Sequence, residues 1–177
     1  MQKVQSIPTI SKRQFLLLPF VFLFALASYR LLVSQSSPTP GTVNVSALRL
    51  RGLNGQPIPE KVYARRVIVL NFWAPWCPPC RSEIPWLQEL QSKNPDAVVI
   101  GVVADPDQYI KAKPFMDSLG VTYRLAEDTS SVEKQVGSTE GLPTTLYLSA
   151  SGQIVHKVEG LIDPVTMQKY LQDAEHR

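Results

Sequence analysis

The stretch that most constrains this chain is Val67-Ile68-Val69-Leu70-Asn71-Phe72, which runs without a break into Trp73-Ala74-Pro75-Trp76-Cys77-Pro78-Pro79-Cys80. A near-continuous, β-branched apolar run reads as a strand buried on both faces, and such a strand needs cover on each side of its sheet. Ala97–Ala104 (AVVIGVVA) is a second run of this kind. Between the two, Pro78 to Ser92 reads as a helix. Gln108–Leu119 reads as another helix that stops at Gly120. Val121–Leu125 is expected as a short strand and Ser131–Val136 as a short helix. Thr144–Leu148 and Gln153–Glu159 form a hairpin around Ser149–Gly152. Pro164–Ala174 is a closing helix with Asp163 as its N-cap. Val43–Leu50, with the turn Gly52–Gly55, is expected as a leading strand or hairpin. The order predicts an α/β domain, a central mixed β-sheet flanked by helices on both faces.

Phe15 to Tyr29 carries no charge, and from Gln14 to Val33 the chain offers about the 20 residues that a tilted helix needs to cross ~30 Å of hydrocarbon. Lys3, Lys12 and Arg13 lead the run and predict an N-in orientation, with Arg30 snorkelling at the far interface. Residues 1–33 are therefore expected as a transmembrane signal anchor. Residues 34–44 follow as a Ser/Pro-rich linker and 45–177 as the folded domain. The rival is a signal peptide cleaved after Ala27, for which Ala25-Leu26-Ala27 is the A-x-A site. The anchor places the domain on the periplasmic or extracytoplasmic side of the inner membrane, and cleavage leaves it soluble in the periplasm. The formal charge is +3, but four of the 18 basic residues and no acid lie in 1–33. That leaves 14 basic against 15 acidic side chains, so a nucleic-acid surface is not expected.

Only two cysteines are present, Cys77 and Cys80. They are too few for a disulfide scaffold, and with no His nearby they do not complete a zinc site. Haem attachment needs a His after the second Cys, where this chain has Arg81. A staple closing so small a ring removes little chain entropy. A redox pair remains. Pro78 suits the first helical position, so Cys77 falls at the N-cap, facing unpaired N–H groups and the positive end of the helix dipole. Thiolate is favoured there, and thiolate is the nucleophile. Cys80, one turn deeper, can close a ring with Cys77 or resolve a mixed disulfide.

Phe72-Trp73-Ala74-Pro75-Trp76-Cys77-Pro78-Pro79-Cys80-Arg81-Ser82-Glu83-Ile84-Pro85 resembles the active-site signature of the thioredoxin superfamily, and within it the TlpA/ResA/DsbE branch of exported thiol–disulfide oxidoreductases. Gly141-Leu142-Pro143-Thr144-Thr145-Leu146-Tyr147-Leu148 is similar to that branch too, as is Ser151-Gly152-Gln153-Ile154-Val155 with Gly160. The resemblance runs from about residue 45 to the C-terminus and implies a thioredoxin-like fold with a redox-active disulfide, Cys77–Cys80. It implies a cis-proline loop at Leu142-Pro143 facing that disulfide, and a substrate-facing set of Trp76, Pro78, Leu142 and Pro143. The alternative for Pro143 is an ordinary turn proline before a strand. Pro85 matches the proline that kinks the family's helix, and Trp73 reads as packing. Thioredoxin carries a buried Asp at the position of Asn71, which cannot ionise. Glu83 is then a candidate for proton transfer. Its alternative is a solvated first-turn Glu favoured by the helix dipole.

The resulting expectation is a membrane-tethered enzyme that exchanges dithiol and disulfide with exported proteins, leaning toward a reductant, for example in cytochrome c maturation. Its partners are proteins with thiols or disulfides and a membrane electron donor of a thiol–disulfide relay. No cofactor or resident metal is expected. The alternative is a copper chaperone or copper-stress redox protein that uses the same thiols as soft ligands. A peroxiredoxin is disfavoured, because Ala74 stands where a Thr or Ser must precede the peroxidatic Cys. Asp105, Asp107, Glu127 and Asp128 are expected in loops, solvated; the alternative for Asp105, which follows a strand end, is that it approaches the site.

Overall fold

The computed structural model describes residues 41–137 and 139–177; the expected anchor and most of the linker lie outside them. Five strands form one sheet: β1 (Ile68–Trp73), β2 (Val98–Val103), β3 (Arg124–Glu127), β4 (Thr144–Leu148) and β5 (Ile154–Glu159). The order across it is β3-β2-β1-β4-β5. β2 lies parallel to β1 and β3 parallel to β2, whereas β4 runs antiparallel to β1 and β5 antiparallel to β4. The sheet is mixed, as expected. The two apolar runs occupy its middle, and every residue of β1 and β2 is buried.

Among the described residues four α-helices accompany the strands: α1 (Pro78–Lys93), α2 (Tyr109–Ser118), α3 (Ser130–Val136) and α4 (Pro164–Glu175). Side chains alternate across a strand, so β1 divides into two sets. Val69 and Trp73 join a core with Ile84 and Leu87 of α1, Met116 of α2, and Met167 and Leu171 of α4. Ile68, Leu70 and Phe72 join a second core with Val132 and Val136 of α3 and with Val43, Leu48, Leu50, Ile58 and Tyr63. Three helices cover one face. The other is covered by one short helix and the irregular segment that precedes β1.

That segment departs from expectation. Val43–Leu50 is not a strand: it holds a single 3-10 turn, Val45–Ala47, capped by Asn44. Thr42, just before it, forms an isolated bridge with Gln153, and just after it a short hairpin closes around the expected turn Gly52–Gly55, where Arg51 bridges Pro57 antiparallel and the Ile58 amide donates to the Leu50 carbonyl at 2.8 Å. Arg49 lies in the left-handed region at φ 44°, which breaks the extension. Val43, Leu48 and Leu50 instead drop onto the sheet face. Gly152 makes the close approach possible: its φ is 87°, and a Cβ there would sit 2.3 Å from the Val43 carbonyl oxygen. β3 also starts later than expected, at Arg124. The Thr122 amide donates to Gln88 Oε1 of α1 at 2.8 Å and is unavailable to a ladder. The Asp163 carboxylate caps α4, accepting from the amides of Val165 and Thr166.

Candidate active site

β1 ends at Trp73 and α1 begins at Pro78, so the intervening loop sets Cys77 at the junction. Cys77 is the N-cap of α1, and Pro78 and Pro79 occupy its first two positions. The Cys80 amide donates to Cys77 Sγ at 3.3 Å. Cys77 and Cys80 are joined as a disulfide with Cα atoms 5.3 Å apart. Cys77 retains 3% exposure and Cys80 none. The loop is held from the helix side: Arg81 Nε donates to the Pro75 carbonyl at 2.6 Å, and its guanidinium lies 5.0 Å from the centre of the Phe115 ring. Trp73 is fully buried and packs near Phe115, whereas Trp76 is 57% exposed. Pro85 sits inside α1, where it leaves the Arg81 carbonyl without its helical donor.

The Leu142–Pro143 bond is cis. The Pro143 carbonyl accepts from the Gly160 amide at 2.7 Å, which ties this loop to the end of β5. Leu142 is half-buried against the core that contains Cys77 and Cys80.

Glu83 is buried, with 0% exposure, so the solvated reading does not hold. Its Oε1 accepts from Asn71 Nδ2 at 2.6 Å, and the same Nδ2 donates to Thr145 Oγ1 at 3.0 Å. Burial pushes the Glu83 carboxyl up to about 7, with the Asn71 hydrogen bond pulling the other way. Tyr123 and Tyr147 have phenols raised well above their ordinary range, first by burial and then by the Glu83 charge. Asn71 Oδ1, Glu83 Oε2 and both hydroxyls lack a hydrogen-bond partner among the described residues.

The acids were not all solvated loops. Asp105 Oδ2 accepts from the Trp76 indole N–H at 2.9 Å, while Oδ1 accepts from the Asp107 amide at 3.0 Å. Glu127 belongs to β3 and lies 3.7 Å from Arg51 Nε. Asp105 thus reaches the loop that carries Cys77, whereas the sequence offers no partner for Asn71, Thr145, Tyr123 or Tyr147. One signal was available: a polar residue inside an apolar run must find a hydrogen bond in the core.

This fold, with an N-cap disulfide beside a cis-proline loop, defines a thioredoxin-like protein-disulfide oxidoreductase. A family model described as Redoxin matches residues 38–169, and the chain belongs to that family. It is 30% identical to the thiol-disulfide oxidoreductase ResA of Bacillus cereus, over 68% of this chain and 70% of that one. Identity to ResA of Oceanobacillus iheyensis is 29%, over 60% of this chain and 56% of that one. MTB DsbF, solved in mixed oxidised and reduced forms, superposes with a TM-score of 0.63 at 25% identity, covering 75% of this chain and 99% of that one. These likenesses place the protein with the TlpA/ResA/DsbE-like members of the thioredoxin superfamily.

Proposed function

We propose that the protein is a membrane-anchored, extracytoplasmic reductant of protein disulfides, with Cys77 as nucleophile, Cys80 as resolver and Glu83 as proton acceptor for Cys80. The observation that carries this reading is a carboxyl that is buried one helical turn beyond Cys80 and pushed up to about 7. Such a group exchanges a proton near neutral pH, where the resolving thiol has to ionise. In the dithiol form Cys77 Sγ occupies the α1 N-cap, where the helix dipole and the Cys80 amide favour thiolate. The thiolate attacks one sulfur of a substrate disulfide, forms a mixed disulfide and releases the other substrate sulfur as thiolate. Cys80 then passes its proton to Glu83 and attacks Cys77 Sγ. The bond to substrate breaks and the second substrate sulfur leaves. Two electrons have moved, and the enzyme holds the Cys77–Cys80 disulfide. A membrane dithiol donor of the relay returns it to the dithiol form.

The exposed Trp76 and Pro78 and the half-buried Leu142 form the substrate-facing rim, next to the buried Pro143. An extended substrate segment pairs with the Leu142 backbone there. Residues 14–33, an apolar run led by Lys12 and Arg13, supply the anchor. Apocytochrome c cysteines are the substrate class toward which the resemblance leans. The copper reading gains no third donor, because among the described residues no three His, Cys, Asp or Glu side chains converge.

A Cys80→Ser variant is expected to stall as a mixed disulfide, and mass spectrometry of the trapped adduct identifies the client. Stoichiometric copper binding by the dithiol form, with no adduct and no reduction of insulin, overturns the proposal. An unchanged pH profile for reduction in Glu83→Gln removes Glu83 from the mechanism.

A further inference from the structure

The sheet beneath Glu83 is built to receive a carboxyl group. Asn71 faces Gly101 on one side and Thr145 on the other in strand register. By alternation these three form a row on the same face as Val69 and Trp73. In the middle of a packed core, the row offers one absent side chain, one amide and one hydroxyl. Gly101 leaves room for its neighbours: a Cβ there would lie 3.0 Å from Trp73 Nε1 and 3.1 Å from both Tyr123 Cε2 and Leu125 Cδ2, so those side chains would have to give way.

We infer that Asn71 and Thr145 are positioning residues that form an amphoteric cradle, holding the Glu83 carboxyl in one place in both of its protonation states. A carboxylate accepts hydrogen bonds only, and a carboxylic acid must also donate one. In the arrangement described, Asn71 Nδ2 donates to Glu83 Oε1 at 2.6 Å and to Thr145 Oγ1 at 3.0 Å. That suits the carboxylate. Rotation of the Asn71 amide by half a turn about its last bond brings Oδ1 to the same point. There it accepts from a protonated Glu83 and from the Thr145 hydroxyl, which reverses its own role. An Asp at position 71 has no N–H to offer and repels the carboxylate. An apolar residue serves neither state. The amide therefore lets a proton arrive and leave without moving helix or strand.

Among the described residues, the ionisable groups coupled to this carboxyl are Tyr123 ahead of β3 and Tyr147 on β4, and Cys80 lies one turn earlier on α1. Both phenols stay neutral at physiological pH. The charge on Glu83 is thus balanced by hydrogen bonding rather than by a cation.

This inference rests on the proton-transfer reading of Glu83, and the test separates the two. The full chain, labelled with 13C at glutamate carboxyls, is titrated by NMR as wild type, Asn71→Leu, Thr145→Val and Thr145→Ser, with Glu83→Gln assigning the resonance. The cradle's hydrogen bond to the ionised carboxylate is stronger than the one it makes to the neutral acid, so removing both in Asn71→Leu is expected to raise the Glu83 midpoint by about one pH unit, a tenfold change in its protonation equilibrium. Thr145→Val is expected to raise it by a smaller amount, and Thr145→Ser to restore the wild-type value. A Glu83 midpoint unchanged in Asn71→Leu overturns the cradle while leaving Glu83 as proton acceptor. Should Asn71→Leu fail to fold, equal midpoints in Thr145→Val and Thr145→Ser overturn it instead. A Glu83→Gln pH profile that matches wild type removes the proton acceptor without bearing on these midpoints.

Discussion

The two faces of the sheet are made by the same strands and have opposite characters. On the face toward α3, β1 presents Ile68, Leu70 and Phe72, β2 presents Val98, Ile100 and Val102, and the cover is largely irregular chain. On the face toward α1, α2 and α4, the same strands present Asn71 and Gly101 among their valines, and buried polar atoms gather around Glu83. Period-two alternation lets one strand carry stability on one side and chemistry on the other. The apolar face tolerates an irregular cover because shape-matched burial is all it needs. The active face needs regular helices, because α1 must place an N-cap and a carboxyl at fixed heights.

Substitutions break this division in different ways. Cys77→Ala is expected to reduce insulin-disulfide reduction to the uncatalysed background in a turbidity assay while leaving the urea midpoint near that of reduced wild type. Leu70→Ala, on the opposite face of the same strand, is expected to cost about 2–5 kcal/mol in urea unfolding. The pH profile of exchange should keep its shape, and a shifted profile would show that the faces are coupled.

Glu83 sharpens the contrast through linkage. Its folded value of about 7 lies above the ordinary 4.5 of an unfolded chain, so the folded state holds the proton longer. Below about pH 4.5 both states are protonated and no penalty exists. Between about 4.5 and 7 the unfolded chain ionises first, and stability falls as pH rises. Wild type is therefore expected to lose on the order of 3 kcal/mol from pH 4 to pH 8 relative to Glu83→Gln, measured by urea unfolding at each pH. Equal slopes would mean that the carboxyl is solvated after all. The smallest effect is expected at the rim. Asp105→Ala frees the Trp76 indole and should raise KM for a protein disulfide by roughly two- to tenfold with kcat little changed, as befits about one hydrogen bond.

Much of this was legible from the sequence. β1 and β2 announced themselves because strands covered on both faces carry no polar punctuation, and α1 because Cys77-Pro78 begins a helix chemically. β4 and α4 were bounded by Pro143 and by the Asp163 cap. Val43–Leu50 misled because its apolar spacing suits a strand while its hydrogen bonds do not. Its apolar side chains pack on a sheet face and only its first residues bridge to the turn before β5, and periodicity does not distinguish a face from an edge. The site's sulfurs were visible because they are adjacent in the chain. The pairing of Asn71 with Glu83 and Thr145, and of Trp76 with Asp105, was not. Those contacts join residues 12, 74 and 29 positions apart and exist only once the register is set.

The clasp between Val43 and Gly152 gives the domain a polarity. The Val43 amide donates to the Gly152 carbonyl at 2.7 Å and the Ile154 amide to that of Gly41, both at the turn that links β4 to β5. β4 starts beside the cis-proline loop and ends at this turn, so the turn occupies the pole opposite the sulfurs. Gly41 and Val43 therefore sit at the end of the domain away from Cys77 and Cys80.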